Sequence, residues 1–321
     1  MTRARVVILL VAVVVIVGCS DGGPEAFSGR PMQGTPTVPP APVAPVPEDT
    51  VPSTGMGVVV TPTGVVVPIV SAARGGWIVT TPCGAERRIT EGTKVGQVTV
   101  VLDPGHGGPA PGAVSSAGLA EAPLNLDVAR RAQAGLEREG VSSMLTRTGD
   151  YDIDLPARSR IATSLSARAF VSIHHNAEPD GPHDGPGSET FYQRASADSK
   201  RLAGLVQEEV FAALSRYDVA WVGDTDAGAK YRPGARGDYY GMLRLPAAVP
   251  TVLAELAFIS NPPEAELLKR DDVREVEAQA VVRGILRYLR TPDPGSRFTE
   301  PYPRDEPPGG GGTVRCVEPK L

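Results

Sequence analysis

Between residues 98 and 290, short runs of β-branched and aliphatic residues alternate with stretches of helical period, and this alternation most constrains the fold. VTVVLD, SSMLTR, AFVSIH, SETFYQ and TVLAELAF read as strands. Between the first two, residues 124–139 place Leu124, Val128, Ala132 and Leu136 on one helical stripe and stop at Gly140. Residues 156–165, 197–217 and 273–289 read as further helices. Strands that are apolar on both faces need helices on both faces. The pattern therefore predicts a single α/β domain: a twisted, mostly parallel sheet flanked by helices.

Residues 56–97 have a different texture. GVVVTPTGVVVPIV and GGWIVTTPCGAERRI are Val- and Thr-rich and are punctuated by PTG and by Gly75 and Gly76. They predict two β-hairpins, a small appendage packed on the main domain.

The flanks are built differently again. Arg3 and Arg5 precede an apolar run over residues 6–17, the layout of a secretory signal peptide over residues 1–18. The run is shorter than the ~20 residues that cross a bilayer. Its end, IVGC, resembles a lipobox, which implies that Cys19 carries a lipid after cleavage and anchors an exported chain to a membrane. Residues 19–55 are Pro-rich with almost nothing to bury. At ~3.1 Å per residue they form a tether on the order of 100 Å long. Residues 291–321 are again rich in Pro and Gly and are expected to be irregular. Export leaves Cys83 and Cys316 where a disulfide persists, so they either pair or remain two thiols. A net charge of -5 and a pI near 5.5 argue against general affinity for nucleic acid. The chain is expected to be a monomer.

Histidine is scarce: His106, His174, His175 and His183 are all there are. His106 follows a strand in DPGHGG, where glycines let the backbone turn sharply. His174 closes the strand AFVSIH. Histidines at the carboxyl ends of neighbouring strands face the crevice in which open α/β sheets bind ligands. Glu121, in GLAEAPLNL, opens the first helix; an acid there suits the helix dipole, yet two His and one Glu also make the ligand set of a catalytic zinc. Asp103 is the candidate to accept the free ring N–H of His106. Glu255 lies inside the apolar strand TVLAELAF, where a carboxylate is costly unless paired or used, and near a metal it would serve as general base. His175 follows a ligand candidate but alternation along the strand points it to the opposite face. His183 sits in a polar loop.

DPGHGG, the Glu of GLAEAPLNL, TRTGDYDIDLPAR, AFVSIHHNA, GSETFYQ and VLAELAFISNPPEA stand in the order and spacing of the zinc-dependent N-acetylmuramoyl-L-alanine amidases of bacteria. The chain resembles that family over residues 98–290. The resemblance implies Zn(2+) held by His106, Glu121 and His174, with Glu255 as the catalytic carboxylate. It also implies a peptidoglycan substrate, cleaved at the amide between N-acetylmuramic acid and L-alanine. Two departures stand out: the residue after the second ligand His is commonly small and here is His175, and the family's Asn after the second helix is matched by Thr163. Some relatives block the metal with a long helical insertion; residues 176–187 are too short for one, so an unblocked site is expected. Arg244 reads either as a contact for a substrate carboxylate or as a surface arginine. The long connection at 218–240, with Trp221, Tyr231, Tyr239 and Tyr240, is a candidate substrate-facing loop whose aromatics alternatively pack. The competing readings are a zinc peptidase acting within the stem peptide and a non-catalytic wall-binding lipoprotein.

Overall fold

A computed structural model of the chain describes residues 55–177, 188–217, 228–246, 248–301 and 315–321. The expected signal peptide, Cys19, the Pro-rich segment, Trp221 and His183 lie outside the described residues. Everything described belongs to one compact unit, Asp49–Leu321.

Its centre is a six-stranded sheet. Strands β6 (Val100–Pro104), β7 (Ser143–Leu145), β8 (Ala169–Asn176) and β13 (Thr251–Phe258) run parallel in the order β13-β8-β6-β7. Strand β9 (Glu189–Tyr192) joins antiparallel to β13, and β10 (Gly228–Lys230) runs parallel to β9 at the edge, while β11 (Pro233–Gly234) and β12 (Gly237–Asp238) pair antiparallel as a separate two-stranded ribbon. The sheet is therefore mixed, and chain length explains the reversal. Only residues 177–188 separate β8 from β9, about the minimum for a parallel crossover, which usually carries a helix.

Helices α1 (Glu121–Arg138), α3 (Ala197–Leu214) and α6 (Asp271–Arg290) cover one face. The stripe expected on α1 is buried as a unit against Val100, Leu102, Val171 and Ile173. Truncating a residue such as Leu136 there would cost about 2–5 kcal/mol. Helix α2 (Leu155–Ser164) and the short α4 (Gly241–Arg244) lie on the opposite face with Val101, Phe170, Ile161 and Leu165. Sequence periodicity does not reveal α4 or α5 (Pro262–Leu268), which are too short to show one.

The N-terminal appendage is a five-stranded antiparallel sheet in the order β4-β3-β2-β1-β5 rather than two separate hairpins. Its strands are β1 (Val58–Val60), β2 (Val66–Ala73), β3 (Gly76–Thr80), β4 (Glu86–Ile89) and β5 (Thr93–Val95). PTG forms part of the β1–β2 turn, while Gly75 turns β2 into β3, so the second break lies inside a continuous meander. Alternation decides the packing. Val58 and Val66 enter the α2-side core, whereas Val59, Val65, Val67, Ile69 and Val79 form a second cluster that also receives Trp77 and Leu321.

The C-terminal stretch is irregular in backbone but held in place. Cys83 and Cys316 form a disulfide across 233 residues of sequence. The Thr63 hydroxyl donates to the Lys320 carbonyl at 2.7 Å, and Thr81 donates to Glu318. Upstream, Ala229 exchanges backbone hydrogen bonds with Arg297 and Thr299, extending the β10 edge.

Candidate active site

Strand β6 ends at Pro104, and the Gly105 amide still donates to the Ile173 carbonyl of β8 before the chain turns. His106 then adopts a left-handed conformation, φ 61°, which is rare for a non-glycine residue. Two buried arginines supply the polar contacts around it. Arg158 donates to the carbonyls of Pro104 and His106, each at 2.8 Å. Arg147 donates to Pro104 and Gly105 at 3.0 and 2.9 Å and reaches Ala122 at the start of α1 at 2.7 Å. One guanidinium thus ties the turn to the helix that follows. Burial, with Arg158 nearby, pushes the Arg147 guanidinium down to about 10, still protonated at neutral pH. Both arginines lie in TRTGDYDIDLPAR. Sequence reasoning assigned them no role, although two arginines in a block otherwise shared with the family were the available signal.

The turn brings His106 to His174, with ring centroids 5.0 Å apart and an interplanar angle of 77°. Glu121, the first residue of α1, lies between them. Its Oε2 is 3.1 Å from His106 Nε2 and its Oε1 is 3.0 Å from His174 Nδ1. The backbone amide of Ala113 donates to the same carboxylate at 3.0 Å. Burial opposes its charge, but the hydrogen bonds and charges of the two imidazoles prevail and hold the carboxyl well below its ordinary range. Burial in turn lowers His174, partly offset by Glu121.

Two glycines make this approach possible. A Cβ on Gly105 would lie 2.2 Å from His174 Cε1, and one on Gly112 would lie 2.4 Å from Glu121 Oε2.

One donor atom from each of His106, Glu121 and His174 lies within 4.8 Å of the others. The two Glu121 contacts are close to the ~3.4 Å edge of a tetrahedron with metal–ligand bonds of ~2.1 Å. Two imidazole nitrogens and a carboxylate oxygen, desolvated on one side, are a donor set that fits a divalent transition metal.

Glu255 enters from the next strand. β13 pairs with β8 so that Glu255 is the register partner of His174, and both side chains leave the same face. Its charge also reaches Tyr240, whose hydroxyl is pushed up to about 12 chiefly by burial. A cavity of about 310 Å³ adjoins the cluster, lined by His106, His174, Tyr240 and, from the TRTGDYDIDLPAR block, Asp152 and Asp154. Of the aromatics expected to face substrate, Tyr240 lines this cavity. Tyr231 instead packs on Tyr192 and Tyr239 on Tyr240.

Asp103 requires a correction. It does not orient His106: Thr146 and Arg158 donate to one of its oxygens and Ser172 to the other. Its carboxylate is fully buried and spent on closing the base of the turn. Arg244 donates to the carbonyls of Asp238 and Tyr239 and lines a separate cavity with Arg236 and Ser196. His175 points to the α1 and α6 side of the sheet, as strand alternation requires. Thr163 lies inside α2, its hydroxyl donating to the Ser159 carbonyl.

The chain is similar to known proteins. The chain is 36% identical over 194 residues to N-acetylmuramoyl-L-alanine amidase LytC of Bacillus subtilis, covering 60% of this chain and 36% of LytC. It is 31% identical over 204 residues to the germination-specific N-acetylmuramoyl-L-alanine amidase of the same organism, covering 59% of this chain and 79% of that protein. The solved structure of N-acetylmuramoyl-L-alanine amidase AmiC2 of Nostoc punctiforme superposes with a TM-score of 0.52 at 32% identity, covering 61% of this chain and 98% of that one. The chain spans little more than a third of the length of LytC. Residues 100–287 match the family described as N-acetylmuramoyl-L-alanine amidase (Amidase_3), and the chain belongs to that family.

Proposed function

We propose that this protein is a zinc-dependent N-acetylmuramoyl-L-alanine amidase that hydrolyses the amide between N-acetylmuramic acid and the L-alanine of the peptidoglycan stem peptide. The observation that carries the reading is the convergence of His106, Glu121 and His174 beside the in-register Glu255. Membership of the amidase family supports the choice of bond.

In this reading His106, Glu121 and His174 hold the zinc. When bound, zinc polarises the scissile carbonyl and acidifies a water molecule towards a pKa of ~7. Glu255 accepts the proton of the attacking water and returns it to the nitrogen of the departing L-alanine. Tyr240 keeps its proton throughout the neutral range and stays a hydrogen-bond donor at the cavity wall. Arg244 is assigned to a carboxylate of the stem peptide, supported by its place with Arg236 on the neighbouring cavity. Residues 1–18 serve as the signal peptide, Cys19 carries the lipid, and residues 19–55 tether a monomeric catalytic unit facing the wall.

Digestion of purified wall tests the assignment, with identification of the newly freed amine. An amidase frees the amino group of L-alanine, and no other amine, together with the lactyl carboxylate of N-acetylmuramic acid. Release of an amine from within the stem would convert the reading to a peptidase, and absence of release by zinc-loaded protein would leave a wall-binding protein.

A further inference from the structure

On the face of the sheet covered by α1 and α6, a chain of buried polar side chains runs up to the back of Glu121. Asn125, one turn into α1, donates from Nδ2 to Glu121 Oε1 at 3.1 Å and to the Gly105 carbonyl at 3.4 Å. Its Oδ1 lies 2.7 Å from His175 Nδ1. On the far side of the imidazole, Nε2 lies 3.3 Å from Glu277 Oε1 of α6. None of the three is accessible: His175 is 1% exposed, Asn125 and Glu277 0%.

The polarity of this chain is dictated by its acceptors. The Gly105 carbonyl and the Glu121 carboxylate accept only, so both take N–H from the Asn125 amide and its carbonyl must face His175. His175 Nδ1 therefore carries a proton and donates. Glu277 engages the remaining nitrogen, which fixes the imidazole from behind. The second Glu277 oxygen, Oε2, has no hydrogen-bond partner among the described residues. A buried carboxyl with a single partner is a poor source of stability. Its worth lies in what the chain holds still, and the chain ends on Glu121.

We propose that Glu277 and His175 are positioning residues: they lock the Asn125 amide, and through it the Glu121 carboxylate, in the orientation that holds the metal. The proposal rests on the metal reading above and extends it into the last helix. Without the His175 N–H, the Asn125 carbonyl is left buried without its partner, and the amide that serves Glu121 and the Gly105 carbonyl loses the contact that fixes it from behind. Partners of this kind typically change metal affinity by about 10–100-fold.

The test is the zinc dissociation constant of the full-length protein, stripped of metal and titrated against a chromophoric chelator. Glu277→Met and His175→Leu keep the volume and remove the hydrogen bonds. Each is expected to weaken zinc binding at least tenfold. Because the residues act in series, Glu277→Met combined with His175→Leu should lose no more than His175→Leu alone. Glu277→Gln, whose side-chain amide offers Nε2 either a donor or an acceptor, should stay within about threefold of wild type. Should a single variant fail to fold, the double variant replaces the whole buried pair by apolar groups, keeps folding, and carries the same expectation. Wild-type zinc affinity in the apolar variants would overturn the proposal. So would a loss in Glu277→Gln as large as that in Glu277→Met, which would mean packing alone. A wild-type protein that takes up no zinc would bring down the metal reading together with this one, whereas indifferent variants of a zinc-binding wild type bring down only this one.

Discussion

Glu255 and His174 are register partners on adjacent parallel strands, β13 and β8, so a carboxylate and an imidazole leave the same face of the sheet side by side. The Glu255 oxygens are not part of the His–Glu–His donor cluster, and that separates holding a metal from moving a proton. Glu255→Gln should therefore retain the zinc content of wild type. Turnover on purified wall should fall by about 10²–10⁴-fold, the span expected for loss of a general base. Metal analysis and initial rates on the same preparation check both halves, and activity within tenfold of wild type would remove Glu255 from the mechanism.

Gly105 tests the geometry from the backbone side. Its missing side chain leaves room for the His174 ring, which a Cβ would meet at 2.2 Å. Gly105→Ala is therefore expected to displace the imidazole and weaken zinc binding at least tenfold. Gly96→Ala is the control, because a Cβ there meets nothing within 4 Å, and it should bind zinc as wild type does. Equal affinity in the two variants would show that His174 has room the structure does not give it.

How far the sequence could be read follows from the range of each signal. The stripe Leu124, Val128, Ala132 and Leu136 announces α1 because periodicity is local, and the strand that carries His174 is announced the same way. Family resemblance added the pairing of distant residues, His106 with Glu121 and His174, which no local pattern contains. Neither source exposed Asp103 as the partner of Arg158: an Asp before a His suggests an orienting role, and only the fold shows the arginine arriving from 55 residues away. Glu277 was hidden for the same reason. An acid on a helix rich in charge reads as solvated until the register of α6 against β8 is known.

The disulfide closes a segment of 233 residues, far longer than any local clamp. It holds residues 315–321 beside the appendage, where Leu321 packs on the second apolar cluster. The paired substitution Cys83→Ser and Cys316→Ser should lower unfolding stability by about 2–4 kcal/mol. It should also make the C-terminal residues cleavable under conditions that leave wild type whole. Denaturant unfolding and limited proteolysis measure the two effects; unchanged values in both would mean that Lys320, Glu318 and Leu321 hold the tail without the bond.

Asp103 links the base of the active-site turn to acidity. Burial raises its carboxyl, but Arg158, with hydrogen bonds from Thr146 and Ser172, overcomes burial and leaves it below the ordinary value. A group depressed on folding contributes stability that is complete above its unfolded value of ~3.9 and fades as pH falls through the folded value. Asp103→Asn leaves the buried Arg158 with only its longer pair to Asp152, 3.8 Å away, so at pH 7 it should cost about 3–5 kcal/mol. Below about pH 4 wild type progressively loses the same interaction, and the gap between the two proteins should narrow. Urea midpoints at pH 7, 5 and 3 measure that gap. A constant difference across the series would mean that the Asp103 charge is not what holds Arg158, and with it the His106 carbonyl, in place.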